Sequence, residues 1–271
     1  MSRLHVDMLA LSKQGEQNAL PNLVLIHGWG MHGGVWQPIA KRLSGYFNLH
    51  LVDLPGMGFS NPVEPGTLDA IAEKVIEILP PNADVCGWSL GSHVAMRIAL
   101  MQPDRMRRLI LVAGTPRFVN SADAGWQVGI DAEVYQRFAV NVSQDYQNTL
   151  MRFFSLQCMG AEDARGTIKQ LRKSFAERPV PTQGTLQKAL RILLENDMRS
   201  DIANLKKPVL LIHGDKDRLV PVQAGHWLAQ HLPLGHLRVI AGAGHAPFLS
   251  HQNQFVDALV QYLEPPVFAG R

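Results

Sequence analysis

The stretch from Asp84 to Leu100, DVCGWSLGSHVAMRIAL, governs the reading of the whole chain. It opens as a short apolar run of strand character and closes as a good helix former. Between the two, Gly87-Trp88-Ser89-Leu90-Gly91 fits G-x-S-x-G, a strained strand-to-helix turn that pushes a serine hydroxyl into a cleft. Strand and helix nearly touch at such a corner, so the positions two residues either side of the serine tolerate nothing bulky. The motif by itself arises easily by chance; its strand–turn–helix setting is what predicts Ser89 as a nucleophile. Cys86, in the strand that feeds the turn, reads as a small core residue.

Outward from this corner, short apolar and β-branched runs recur at Leu23–Ile26, Leu49–Val52, Leu109–Val112, Val209–Ile212 and Leu237–Ile240. Between the early ones lie helical spacings, such as Trp36, Ile39, Ala40, Leu43 and then Ile71, Val75, Ile76, Leu79. Runs apolar on both faces suit strands of a parallel sheet covered by helices, and the alternation predicts a doubly wound α/β fold. The alternation lapses between about Phe118 and Arg199, where apolar positions such as Tyr135, Phe138, Val142, Leu150 and Phe153 follow a helical period. The expectation is a core of residues 1–117 and 200–271 with a helical lid, 118–199, inserted between two sheet strands. A separate helical domain is the alternative.

Composition excludes several classes. With 46% hydrophobic and 18% charged residues among 271, the chain has the balance of a packed globular protein, not of a disordered one. Its apolar runs of four or five residues fall far short of the ~20 that a membrane helix needs, and no signal segment opens it. Two cysteines, Cys86 and Cys158, make neither a disulfide framework nor a zinc site unaided. A net charge of +3 is too small to argue for nucleic acid. No phosphate loop, H-E-x-x-H or C-x-x-C occurs. We therefore expect a soluble, cytoplasmic, monomeric protein that needs no metal or organic cofactor.

A serine hydroxyl is a poor nucleophile at neutral pH and needs a histidine base held by a carboxylate. On hydrolase sheets that carry G-x-S-x-G the chain order is serine, acid, histidine. Of the eleven histidines, that order leaves His245 in Ala241-Gly-Ala-Gly-His245, directly after a strand, as the candidate base, with His251 a weaker rival. His226 and His231 fall in a helix-like stretch and His236 precedes the strand. For the acid, the run VLLIHGDKDRLVP from Val209 to Pro221 offers Asp215 and Asp217. Asp215 sits in the tight turn and reads as a cap, which favours Asp217. The second motif, His27-Gly28-Trp29-Gly30 after a strand, supplies an oxyanion donor: the N–H groups of Trp29 and Leu90 are the predicted pair, and the Trp29 indole can wall an acyl pocket.

The same loop contains a rival. Gly28-Trp-Gly30-Met-His-Gly33 is formally G-x-G-x-x-G between a strand and a helix, and Asp53 ends the next strand where a ribose-binding acid would sit. A dinucleotide-binding protein is therefore the alternative from a different class. It leaves the Leu-Pro-Gly-Met-Gly stretch after Asp53 and the three ordered hydrolase motifs unexplained.

With these residues placed, the chain resembles the α/β-hydrolase superfamily over nearly its whole length, and within it the pimeloyl-acyl-carrier-protein methyl ester esterases of biotin synthesis. The resembling stretches are LIHGWG (25–30), LHLVDLPG (49–56), GWSLG (87–91), RFFSLQCMG (152–160) and GHAPFLSH (244–251). The resemblance implies an α/β-hydrolase fold and cleavage of a methyl ester on a seven-carbon diacyl chain borne by acyl carrier protein. It also implies that Phe153, Phe154, Ser155, Leu156 and Gln157 line the acyl site beneath the lid, and that Arg152, Arg165 and Lys169 occupy basic carrier-contacting positions. Asn148 stands where the family has an arginine, and Gln252 where it has a proline. Independently, Arg165, Lys169, Arg172 and Lys173 recur on one helical face, a stripe that would attract an acidic carrier or serve as a solvated surface. Another hydrolase of this scaffold, a small-ester esterase or a C–C bond hydrolase, is the nearer alternative.

Overall fold

Every residue of the strand Ala83–Trp88 is buried, as a strand covered on both faces requires. It is the fourth of seven in a computed structural model that describes residues 4–10, 20–63, 66–122 and 125–263. The strands are β1 (Val6–Leu9), β2 (Asn22–Ile26), β3 (Asn48–Val52), β4 (Ala83–Trp88), β5 (Met106–Val112), β6 (Val209–Gly214) and β7 (Gly235–Ile240). The helices are α1 (Gln37–Leu43), α2 (Leu68–Ile78), α3 (Leu90–Met101), α4 (Ala132–Gln144), α5 (Tyr146–Gln157), α6 (Ala164–Phe175), α7 (Gln183–Glu195), α8 (Val222–His231), the short α9 (Pro247–Ser250) and α10 (Gln252–Leu263).

The sheet runs β1-β3-β2-β4-β5-β6-β7, with β1 antiparallel to β3 and the remaining pairs parallel. From β2 the chain steps outward to β3, then reverses and steps through β4 to β7. Right-handed crossovers in opposite directions put their helices on opposite faces of the sheet. The reversal opens a crevice between the C-terminal ends of β2 and β4, where the two following loops diverge. That crevice receives both the His27–Gly30 loop and the Ser89 turn.

The structure departs from the sequence reading at two places. β1 carries no long apolar run and was not foreseen; it is an edge strand of four residues, and pairing with β3 at Val6–Val52 rather than burial defines it. His236 lies inside β7, not before it, because the half-exposed edge strand begins at Gly235.

Between β5 and β6 the chain leaves the sheet and makes α4 to α7. The two ends of this excursion meet: Met198 N–H donates to Pro116 O at 2.9 Å, and Arg117 pairs with Asp197. The Arg199 guanidinium, with Arg117 beside it, holds the Asp197 carboxyl down at about 2. The inserted helices pack on one another, α4 against α5 and α7, α5 against α6, and α6 also rests on the core at α9 and the turn Gly33–Trp36.

Two buried imidazoles make this fold acid-sensitive. Burial lowers His27 and His93 to about 4, so each stays neutral in the folded protein while the unfolded chain takes up a proton near 6.5. Stability is therefore full above 6.5 and is lost as pH falls from there towards 4. From pH 7 to pH 5 each should cost about 2 kcal/mol. The His93 ring faces the Ser89 backbone without a hydrogen bond of normal geometry, so His93→Leu should fold normally and reduce the pH dependence of urea melts to the part that His27 supplies. A variant whose melts at pH 7 and pH 5 differ as much as wild type would refute this.

Candidate active site

β4 ends at Trp88 and α3 begins at Leu90, which leaves Ser89 alone in the turn at φ 55° and ψ −116°. That is a strained conformation for a residue with a side chain. It is enforced by contact. A Cβ on Gly87 would stand 2.1 Å from the Gly91 carbonyl oxygen, and one on Gly91 would stand 2.4 Å from that of Ile26. The Ser92 hydroxyl donates to Gly87 O at 2.7 Å and ties helix to strand. Leu90 occupies the first turn of α3, where backbone N–H groups have no carbonyl behind them.

The loop after β6 folds around Asp217. Its Oδ1 accepts the N–H groups of Leu219 and Val220, each at 2.9 Å, and its Oδ2 lies 2.8 Å from His245 Nδ1. His213, on β6, lies beneath this loop with Nε2 2.8 Å from Val220 O and 3.5 Å from Asp217 Oδ2. Burial lowers its pKa and keeps it neutral, so Nε2–H donates to the carbonyl and adds no cation beside the carboxylate. Asp215 accepts Gly242 N–H at 2.7 Å and thereby fastens the loop after β6 to the loop after β7.

His245 follows β7 and is fully buried. With Asp217 accepting at Nδ1, the proton sits on that nitrogen and Nε2 carries the free lone pair. Backbone contacts fix the ring's position: His245 N–H donates to Gln157 O at 3.0 Å, and the Trp88 indole donates to His245 O at 2.7 Å. Nε2 is buried and makes no hydrogen bond, to Ser89 or to any other group.

On the other side of Ser89, the indole N–H of Trp29 donates to Leu186 O in α7 at 3.0 Å, and its rings meet Phe138 and Phe153 edge-on. Trp29, Ser89, Tyr135, Phe153, Leu156 and Leu219 are among the residues that enclose an almost wholly apolar cavity of about 50 Å³. Leu156 and Val134, both on its wall, are 39% and 49% exposed and mark where it approaches the surface.

The predicted residues therefore divide. Ser89, Trp29, Phe153 and Leu156 share the cavity, while Asp217 and His245 form a hydrogen-bonded pair. Phe154 does not join them: one position on from Phe153 along a helix is about 100° around it, and its ring packs on Phe175 of α6. Ser155 is half-buried and turns its hydroxyl to Met151 O, and Gln157 contributes its backbone carbonyl to His245. Arg152, Arg165 and Lys169 are exposed. Asn148 turns its amide to Asp145 at the start of α5. His251 bonds its neighbour Ser250, and His231 stacks on Trp227. Sequence reasoning passed over His213, which chain order had removed, and the cavity walls Phe118, Ile130, Tyr135 and Leu190, whose helical or loop positions carry no mark of function.

The dinucleotide reading fails at Asp53. Asp53 is buried and filled: it accepts Gly33 N–H at 2.7 Å and Phe59 N–H at 2.9 Å and is bridged by Arg178. The Gly33 amide that would face a pyrophosphate is thus spent on a carboxylate.

Comparison with known proteins agrees with this geometry. The family described as alpha/beta hydrolase fold matches residues 21–252. The chain is 45% identical to the pimeloyl-acyl-carrier-protein methyl ester esterase of Nitrosomonas europaea, over 88% of this chain and 93% of that one. It is 42% identical to the protein of the same name from Aeromonas salmonicida, over 89% and 94%. An esterase from Exiguobacterium antarcticum, at 19% identity, superposes with a TM-score of 0.84 over 96% of this chain and 95% of that one, a likeness of fold. Sequence kinship at this level and coverage, on a sheet that brings a G-x-S-x-G turn to a shared crevice, makes the chain a member of the α/β-hydrolase family and, within it, of the pimeloyl-acyl-carrier-protein methyl ester esterases.

Proposed function

We propose that the protein is a serine carboxylesterase that hydrolyses the methyl ester of pimeloyl-acyl carrier protein. The observation that carries this reading is the buried His245 ring, held at Nδ1 by Asp217 with Nε2 unpartnered, packed on Trp88, the residue that precedes a serine on a strained turn. Ser89 Oγ attacks the ester carbonyl carbon and gives its proton to His245 Nε2, and Asp217 stabilises the resulting imidazolium. The contact between Oγ and Nε2 forms as substrate seats, since such bonds tighten in the Michaelis complex. The Trp29 and Leu90 N–H groups receive the oxyanion. Methanol leaves with the proton from Nε2; a water deprotonated by the same nitrogen then releases the carboxylate and frees Ser89.

The acyl chain lies in the cavity beside Trp29 and Phe153. Residues 118–199 supply most of its wall, from Phe118 to Leu193, and act as a lid that parts to admit a seven-carbon chain. Of the inserted helices α4 buries the fewest residues, Tyr135 and Val142. The exposed basic face of α6 meets the acidic carrier.

A fluorophosphonate should label wild type at Ser89 and leave Ser89→Ala unlabelled; labelling that survives the substitution removes the serine from the reaction. Asp217→Asn should lower kcat by about 10⁴ through loss of the Nδ1–H tautomer, measured on a free methyl ester, and a loss under tenfold would displace Asp217 as the acid. Arg165→Glu with Lys169→Glu should cut kcat/KM at least tenfold on the carrier-linked ester and leave the free ester unchanged. Equal loss on both would show that α6 is not the docking face.

A further inference from the structure

Arg178 lies three residues beyond the end of α6, in the inserted segment, yet its side chain is only 6% exposed and reaches the core. One guanidinium nitrogen lies 2.6 Å from each oxygen of Asp53, and another pairs with Asp7 on β1. Its carbon stands 5.3 Å from the Phe59 ring centre. Asp53, fully buried, spends its remaining acceptor capacity on Gly33 N–H and Phe59 N–H. Gly33 belongs to the loop that begins at His27 and carries Trp29. That loop is otherwise held at its start by His27, whose Nδ1 lies 2.8 Å from Gly28 O and whose Nε2 accepts Leu54 N–H at 2.9 Å. The loop thus hangs between two anchors, His27 at one end and the Asp53 carboxylate at the other.

From this geometry we infer that Arg178 is a positioning residue for ester hydrolysis: through Asp53 it sets the loop that presents the Trp29 N–H to the oxyanion, and it joins that loop to the segment behind α6. The inference rests on the esterase reading above. Burial opposes ionisation of Asp53, yet His27, the two backbone N–H groups and Arg178 hold its carboxyl below the ordinary range. Removing the guanidinium leaves a buried carboxylate short of its partner, and the cheapest relief is for the Gly33 end of the loop to move and admit water. A donor displaced by about 1 Å costs on the order of 100-fold in rate. Lysine in its place keeps the charge but offers a point donor, which cannot serve both Asp53 oxygens and Asp7 together.

The experiment compares wild type, Arg178→Lys and Arg178→Met on a free short-chain methyl ester, with each preparation counted by exhaustive fluorophosphonate labelling so that rates are per intact site. Arg178→Met should lose about 10- to 100-fold in kcat with KM within twofold of wild type, and Arg178→Lys should fall between the two. The initial rate of phosphonylation, which uses the same oxyanion donors, should drop in parallel. Unchanged kcat per labelled site in either variant, or a rise in KM alone, overturns the inference. Arg178→Lys covers the case in which Arg178→Met does not fold. Failure of wild type to label at all would instead overturn the esterase reading, so the two failures are distinguishable.

Discussion

The backbones of β4 and α3 come so close that a methyl group on Gly87 would overlap the Gly91 carbonyl oxygen, and α3 lies so close to the end of β2 that one on Gly91 would overlap that of Ile26. That contact forces Ser89 into a conformation an ordinary turn would avoid, and the rest of the site is arranged around it. The strain is sustained because β4 is buried throughout and paired on both sides, so the sheet over-determines the turn. Three other strand ends carry one candidate group each: Trp29 after β2, Asp217 after β6 and His245 after β7. The reversal of strand order beside β4 opens the space that the Ser89 turn shares with Trp29.

The inserted helices are part of this machinery as well as its cover. The C-terminal carbonyl of α5 holds the backbone of His245, and the turn that follows α5 bonds the loop after β7 through Glu162 N–H and Gly242 O. Leu186 of α7 holds the Trp29 indole, and Arg178 reaches Asp53 below the neighbouring loop. His245 and the loop that carries Trp29 thus each take one support from the sheet and one from the insertion. Both α4 and α5 also touch the Trp29 indole, through Phe138 and Phe153, while α6 rests on α9 and on the turn Gly33–Trp36.

Histidine placement shows how environment assigns roles to one residue type. His245 keeps a free, buried Nε2. His213, near the same carboxylate, has its Nε2 committed to Val220 O, and His27 has one nitrogen committed to its own loop at Gly28 O and the other to Leu54 N–H in the loop after β3. All three are buried; what distinguishes them is which ring nitrogens already have hydrogen-bond partners.

The sequence by itself determined the doubly wound core, the serine corner, and Asp217 and His245 as residues to pair, because each is written locally: glycines flank a turn, an apolar run precedes it, and chain order removes the rivals. The edge strand β1 escaped notice because pairing rather than apolar pattern makes it. The helical period of the insertion was legible too, but a period shows that a face is apolar without saying what it faces. Only the tertiary structure sent Phe153 to the cavity and its neighbour Phe154 to α6, put the acid loop on His213, and closed Asp53 with a guanidinium more than a hundred residues away in sequence. Those assignments rest on contacts between distant segments, which no local pattern encodes.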